Sequence, residues 1–448
     1  MGKTYKLVFI LILFLIIILI LSGKFSFSQT IFPSQARIIE VINTPPDLGP
    51  AQSCALLDKI DEPSPELENM LLKIGTKKYS YHDARIGRSS SGKITVTNKK
   101  ITDVEREIGL KLLNLNTCDT QIIKITKQGD KIIAPEGYDI RVIKRSSGLT
   151  WNAWNTHLYI ASPAQSVVIK NAWPTEDTKI STKVIKDKKG RKKTVSYTEK
   201  YVRNIIYTPY SADDSSTSDV IEPGIHTPEI LMAGVDELKR IVDEARNILR
   251  NNGVRSKAFP DQIVGDLDFI PPQVYERLMI IEQSDEGEFT LDPIMTLERV
   301  MVILRANKGK AWAETCNKAG ACGPFQFTNL RGNGTYAMVV KNYPTAGLIK
   351  NFEVGAADHI NSAMAAILLH DLNLKDLVRL FGEKITENPV VLEELLDGAY
   401  NGAPKWVHKS LTASLAKGLA DWSNTKYLRT ETRGYLVKLR YLVKNNLP

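Results

Sequence analysis

Nine consecutive residues, Ala319-Gly320-Ala321-Cys322-Gly323-Pro324-Phe325-Gln326-Phe327, set small and flexible positions beside a Pro, two aromatics and a Gln. Small residues let a backbone come close to a ligand or a neighbouring helix. A Gln among aromatics can hydrogen-bond a neutral polar substrate such as a sugar. Later in the chain, Gly398-Ala399-Tyr400-Asn401-Gly402-Ala403-Pro404-Lys405-Trp406-Val407 again combines small residues with an aromatic and an amide.

Taken together and in this order, the two stretches resemble the soluble lytic transglycosylases, which share a fold with goose-type lysozyme and cut the glycan strands of peptidoglycan. Gly320, Ala321, Gly323, Pro324 and Gln326 match a Gly-Ala-x-Gly-(hydrophobic)-x-Gln signature. Ala399, Tyr400, Asn401 and Pro404 match Ala-Tyr-Asn-(Ala-Gly)-Pro, with Gly402 and Ala403 transposed. The resemblance spans roughly residues 270–410 and does not extend to the first half. It implies a substrate-binding set of Gly320, Ala321, Gly323, Phe325, Gln326, Tyr400 and Asn401. Gln326 would contact acetamido or hydroxyl groups, and Tyr400 and Asn401 would close the cleft opposite the acid, with Tyr400 orienting it. No cofactor and no metal is implied.

Cleaving a glycosidic bond needs a proton donor to the leaving oxygen and stabilisation of the positive sugar ring. Enzymes of this family use one Glu, because the sugar's own 6-hydroxyl attacks the anomeric carbon and closes a 1,6-anhydro ring. Such a Glu needs an apolar pocket to stay protonated near neutral pH. In the family it lies about a dozen residues before the Gly-Ala loop, a position held here by Lys308. Glu282 follows Tyr275-Glu276-Arg277-Leu278-Met279-Ile280-Ile281, which resembles the end of the helix that carries the family's Glu. Glu282 is therefore the expected catalytic acid, with about 26 residues, including a helix Met295–Ala306, inserted before the loop. Two alternatives stay open: Glu314, close to the loop, and Glu298, on the inserted helix, where a surface role is expected.

The elements that must position these residues are helices. Ile230, Leu231, Val235, Leu238, Ile241, Val242, Ala245 and Leu249 recur at helical spacing up to Asn251-Asn252-Gly253. Further helices are expected over Gln273–Gln283, Met295–Ala306, Ala356–Asp371, Val390–Tyr400 and Tyr435–Lys444. Asp358-His359 is a conceivable acid–base pair, but its setting among Ala and Ile gives it a structural role. Residues 77–210 read differently. Lys93–Thr97, Gln121–Ile125 and Tyr138–Ile143 are short β-branched runs, with one helix expected over Val104–Leu113. Lys183–Lys186 and Thr194–Tyr197 flank a basic hairpin tip, Lys188–Lys193. Trp151, Trp154, His157 and Tyr159 could stack on sugars, although core aromatics are the commoner outcome in a small β domain.

The fold class expected is multidomain: an N-terminal mainly-β (α+β) domain, then an all-α lysozyme-like domain. The predicted segments are 1–28 as a signal peptide or membrane anchor, 29–76 as a stalk, 77–210 as a β-rich domain, 211–228 as a linker centred on Ser211–Asp219, and 229–448 as the helical domain. Lys3 and Lys6 ahead of the apolar run Leu7–Leu21 predict export, either with cleavage after Ser28 or as an uncleaved anchor in the cytoplasmic membrane. Four cysteines fit an oxidising compartment, and the tight loop makes Cys316–Cys322 the better disulfide pair, free thiols being the alternative.

The 448 residues carry a formal charge of +9, which suits a polyanionic neighbour such as cell-wall polymer, or simply keeps the protein soluble. No nucleic-acid-binding motif is present, and neither Cys-x-x-Cys pairs nor His-Glu-x-x-His occur, which argues against zinc. The sequence leaves three functions: a transglycosylase on peptidoglycan, a lysozyme-like hydrolase on the same fold, or a wall-binding protein without the acid.

Overall fold

A computed structural model describes residues 54–88, 94–129, 131–143, 154–186, 192–211, 224–317, 320–329, 334–419 and 421–448. The expected signal or anchor, most of the stalk, Trp151, the hairpin tip 187–191 and most of the linker lie outside the described residues. The described chain forms two compact units, one of residues 46–234 with 298–308, the other of 235–297 with 309–448.

The first unit opens with two short helices, α1 (Leu56–Asp61) and α2 (Pro65–Leu71). Eight antiparallel strands follow: β1 (Thr76–Arg88), β2 (Ile94–Asn114), β3 (Thr120–Gln128), β4 (Lys131–Ile133), β5 (Asp139–Val142), β6 (Leu158–Ser162), β7 (Ser166–Lys186) and β8 (Lys192–Tyr207). Their order is β4-β3-β2-β7-β6-β5, with β1 paired to β2 and β8 paired to β7. The end strands β4 and β5 also touch, so the sheet curls on itself in a barrel-like way.

Strand β2 corrects the helix expected over Val104–Leu113. Val104, Ile108 and Leu112 are spaced by four, as in a helix, but Ile108, Leu110 and Leu112 alternate and enter one core with Ile123, Ile125 and Trp173. Pairing with β3 and β7, distant in sequence, decides the outcome. On the opposite face, Leu67 and Leu71 of α2 pack with Ile74 and Ala172. Gly109 permits this close approach: a Cβ there would lie 2.9 Å from both Leu67 and Met70.

Residues 54–76 are therefore part of the β unit and not a stalk. A disulfide from Cys54 to Cys118 and an ion pair of 3.0 Å from Lys111 to Glu62 fasten them. Trp154 packs against the β core and Trp173 is buried within it, so these aromatics serve packing.

Helix α3 (Pro228–Asn251) starts where Thr227 caps it, its hydroxyl accepting from the Ile230 amide at 3.4 Å. The apolar positions read from the sequence are buried except Val235, and Gly253 at φ 59° ends the helix region. The boundary between units falls inside α3 rather than in a linker at 211–228.

Helices α4 (Gln273–Glu282), α5 (Glu286–Leu291) and α6 (Pro293–Asn307) follow. The second half of α6 belongs to the first unit, where Met301 packs so close to Gly234 that a Cβ would lie 2.3 Å from the Met301 carbonyl oxygen. Glu298, expected at the surface, is instead buried there and paired with His226 at 2.8 Å.

The rest of the second unit is a short β9–β10 hairpin (Ala321–Cys322, Phe327–Thr328) followed by helices α7 (Thr335–Asn342), α8 (Phe352–Ala357), α9 (His359–Phe381), α10 (Pro389–Gly402), α11 (Pro404–Lys417) and α12 (Thr430–Lys444). The single helix expected over Ala356–Asp371 is two. Asp358 adopts an extended ψ of 122° and caps α9 by accepting from the Asn361 amide at 2.8 Å. His359 bonds the Ala311 carbonyl oxygen at 2.6 Å and stacks on Trp312, a structural arrangement. No helix among the described residues is long and apolar enough to cross a membrane.

Candidate active site

Glu282 is the last residue of α4, a helix whose residues Val274–Ile281 are all buried. The next residue, Gln283, donates its side-chain amide to the carbonyl oxygens of Gly323 at 3.1 Å and Pro324 at 2.9 Å. These bonds hold the end of α4 against the glycine-rich loop. From the other side, Lys438 of α12 donates to the Ile281 carbonyl at 3.0 Å, the Ser284 carbonyl at 2.7 Å and the Ser284 hydroxyl at 3.1 Å. A cation on the free carbonyls of a helix C-terminus is favourable.

The loop keeps its shape by closure and by backbone freedom. A disulfide joins Cys316 to Cys322. Gly320 and Gly323 have φ of 76° and 75°, and a Cβ on Gly323 would sit 1.7 Å from the Ala356 carbonyl oxygen, so only glycine fits. Ala321 is buried in β9. Gln326, half-exposed at φ 46°, donates to the Gly323 carbonyl at 2.8 Å and accepts from Asn317 at 3.4 Å. Its amide braces its own loop.

Phe325, expected among the substrate contacts, has a fully buried ring, which corrects that expectation: its carbonyl is what matters here, accepting from the Tyr400 hydroxyl at 2.7 Å. That bond brings α10 to the loop. Tyr400 packs edge-on to Phe327 and to His370. Asn401 accepts from the Thr432 hydroxyl at 2.7 Å, tying α10 to α12. Glu282, the loop 320–326 and Tyr400–Asn401, far apart in sequence, thus converge within one unit.

The electrostatics of this convergence suit a proton donor. Glu282 keeps some solvent exposure, yet close packing raises its pKa to about 8, a rise that Tyr435 and Lys438 oppose and Glu431 adds to. A carboxyl of that pKa is roughly nine-tenths protonated at pH 7. The Tyr435 hydroxyl is buried beside Glu282 without a hydrogen bond of ordinary geometry, and burial and the neighbouring carboxylates push its pKa well up. Tyr400 is pushed up in the same way, by burial first and then by Glu282 and Asp397. Burial lowers the pKa of Lys438, and Glu282 partly restores it.

Sequence reasoning missed a second buried pair. Asp397 of α10 and His370 of α9 face each other at 3.5 Å, both with no exposed side-chain surface. Burial, then Glu393 and Glu282, raises Asp397 well above the carboxylate range, while burial lowers His370 to about 3. Both groups are therefore held neutral behind Tyr400. Neither residue stands out in the sequence: Asp397 shares its helix face with Glu394 and Glu393, three and four residues earlier, and the marked pair, Asp358-His359, lies elsewhere. Around it, Glu393 pairs with Arg277 at 2.9 Å and Glu394 with Arg440 at 2.9 Å, fixing α10 to α4 and α12.

The alternative acids are placed differently. Glu298 is committed to His226 in the first unit, and Lys308, at the spacing where an acid was expected, pairs with Asp61 at 2.9 Å. Glu314 is half-buried in a turn ahead of the loop. Among the described residues no group of three or more His, Cys, Asp or Glu could hold a metal ion. The chain matches no protein-family model, and no curated protein or solved structure is significantly similar to it.

Proposed function

We propose that the protein is an exported, lysozyme-like enzyme that cleaves peptidoglycan glycan strands as a lytic transglycosylase, with Glu282 as its single acid and base. The observation that carries this reading is Glu282 itself: a carboxyl with pKa raised to about 8, at the point where α4, the glycine-rich loop and Tyr400 converge. Glu282 gives its proton to the glycosidic oxygen as the bond to the anomeric carbon breaks. The muramic 6-hydroxyl oxygen bonds to that carbon, and its proton returns to Glu282, so no water and no cofactor is consumed. General acid catalysis of this kind contributes about 10²–10⁴-fold.

Tyr400 positions the loop in this account, and the neutral Asp397–His370 pair behind it adds no charge that would ionise Glu282 near pH 7. Two disulfides support an oxidising compartment and hence export; the partner would be the cell wall, together with the cytoplasmic membrane if residues 1–28 remain attached. A hydrolase on the same site would use water in place of the 6-hydroxyl. The wall-binding alternative rests on Lys308 at the family's usual acid position, where it pairs with Asp61 at 2.9 Å. Mass spectrometry of digested peptidoglycan tests the reading: anhydro ends are expected, reducing ends would favour the hydrolase, and no cleavage would favour the binding protein.

A further inference from the structure

Two long hairpins of the β unit leave the barrel-like sheet together. Residues 94–104 of β2 pair with β1 alone, because β3 joins β2 only from Glu105 onward. Residues 173–186 of β7 pair with β8 alone, because β2 joins β7 only as far as Ala172. β2 and β7 are antiparallel neighbours, so the first half of one and the second half of the other run out from the same end of the sheet. At about 3.3 Å per residue the two ribbons extend roughly 35 and 45 Å. A two-stranded ribbon is marginally stable in water without something packed against it.

The charge of the ribbons is one-sided. Residues 78–88, 94–104, 173–186 and 192–205 hold twelve Lys and Arg against five Asp and Glu, a net +7 in a chain of net +9. Three of those acids, Asp103, Glu176 and Asp177, lie at the base of the ribbons. Farther out, Asp83 stands opposite Lys99 and Glu199 opposite Lys179, whereas Lys186 stands opposite Lys192. Like charges directly opposite each other destabilise a strand pair, and a bound anion removes that cost. A lysine or two suffices to keep an exposed edge strand from pairing. An excess of this size, spread along both ribbons, fits an elongated partner with many negative charges.

We propose that the β1–β2 and β7–β8 ribbons together bind a linear phosphodiester polymer of the cell envelope. Nine of the twelve cations are Lys, which meets a phosphate as a point charge and tolerates any register along a repeating polymer. The choice of an envelope polymer rests on the export reading, which the two disulfides support. Binding itself does not depend on glycan cleavage.

The test is equilibrium binding of the full chain to poly(glycerol phosphate) at several salt concentrations, beside polyglutamate, duplex DNA and phosphatidylglycerol vesicles at equal charge. The expected result is binding at least about tenfold tighter to poly(glycerol phosphate) than to polyglutamate or vesicles, with an affinity that falls steeply as salt rises. Lys183→Gln, Lys186→Gln, Lys192→Gln and Lys193→Gln in one chain should flatten the slope of log K against log salt by about 3. Lys405→Gln, Lys409→Gln, Lys417→Gln and Lys426→Gln, in the helical unit, should leave that slope unchanged. If the first variant loses the circular dichroism of the folded chain, Arg85→Gln with Arg88→Gln tests the other ribbon, with a flattening of about 1. No binding at about 0.15 M salt, or an equal loss in the ribbon and helical-unit variants, overturns the proposal. Duplex DNA or vesicles bound more than about tenfold tighter than poly(glycerol phosphate) also overturn it, in favour of nucleic acid or a lipid surface. Polymer binding by a chain that never cleaves peptidoglycan leaves the ribbons' role standing and removes the catalytic reading; cleavage without polymer binding does the reverse.

Discussion

The side chain of Gln283 donates to the carbonyl oxygens of Gly323 and Pro324, at 3.1 and 2.9 Å, across 40 and 41 residues of sequence. Glu282 is its immediate neighbour, so this side chain ties the end of α4 that carries Glu282 to the loop. Gln283→Ala should cost about 1–2 kcal/mol of stability, the scale of two lost hydrogen bonds to backbone. It should lower kcat by about tenfold or more, since small misplacements of catalytic groups are expensive. Thermal unfolding and peptidoglycan turnover measured together check this; a stability loss without a rate loss would show that the loop is positioned by other contacts.

Ala403 occupies φ 75°, ψ 144° between α10 and α11. A non-glycine residue there stores about 1–3 kcal/mol of strain. Ala403→Gly should therefore stabilise the helical unit by about 1 kcal/mol after the extra chain entropy of Gly is subtracted. Chemical denaturation with an unchanged slope is the measurement. A lower midpoint would mean that the Ala403 methyl packs better than its backbone angle suggests.

The two disulfides should separate stability from function. Cys54–Cys118 closes a separation of 64 residues, whereas Cys316–Cys322 closes one of 6. Chain entropy assigns about 4 kcal/mol to the first and about 2 kcal/mol to the second. Replacing the first pair with Ser should mainly unfold the β unit, and replacing the second should mainly slow glycan cleavage by loosening the loop. Denaturation followed unit by unit, alongside an activity assay, distinguishes them.

The helices that carry the site were legible because their apolar periodicity is strong: α3, α4, α10 and α12 were anticipated within a few residues. The two short signature stretches do meet in the structure, beside the end of α4 that carries Glu282. Strand β2 was misread because Val104, Ile108 and Leu112 imitate a helix repeat, and only pairing with β3 and β7 removes the ambiguity. The stalk expected over 29–76 and the surface role expected for Glu298 differ from the structure for a related reason, since the contacts that fasten them, Cys54–Cys118 and Glu298–His226, join residues distant in sequence. The Asp397–His370 pair was invisible because α9 and α10 create it only by packing. The unit boundary inside α3 could not be read from composition, because the helix continues unbroken through it.

Stability should depend on pH with a definite sign. Glu282 has a folded pKa of about 8, above its ordinary 4.5, so the folded state holds a proton that the unfolded state releases. Its contribution is fully present below about pH 4.5 and is lost as pH rises through about 8. His370 works in the opposite sense: with a folded pKa of about 3 against 6.5, it destabilises progressively as pH falls below about 6.5. The two dependences offset between about pH 4.5 and 6.5, where the helical unit should be most stable. Glu282→Gln should raise its melting temperature more at pH 9 than at pH 5; an equal rise at both would show that the carboxyl of Glu282 has an ordinary pKa.

The most direct test is Glu282→Gln on purified peptidoglycan, with the soluble products identified by mass spectrometry. Glutamine keeps the size and hydrogen bonding of the side chain but cannot supply or recover the proton. The wild type should release products with 1,6-anhydro ends, on a rate profile that declines as pH rises through about 8. The variant should lose at least about 10³–10⁴-fold in rate while folding and binding glycan normally, and Glu314→Gln and Glu298→Gln should lose far less. Turnover by Glu282→Gln within about tenfold of the wild type would contradict the assignment of Glu282 as the acid.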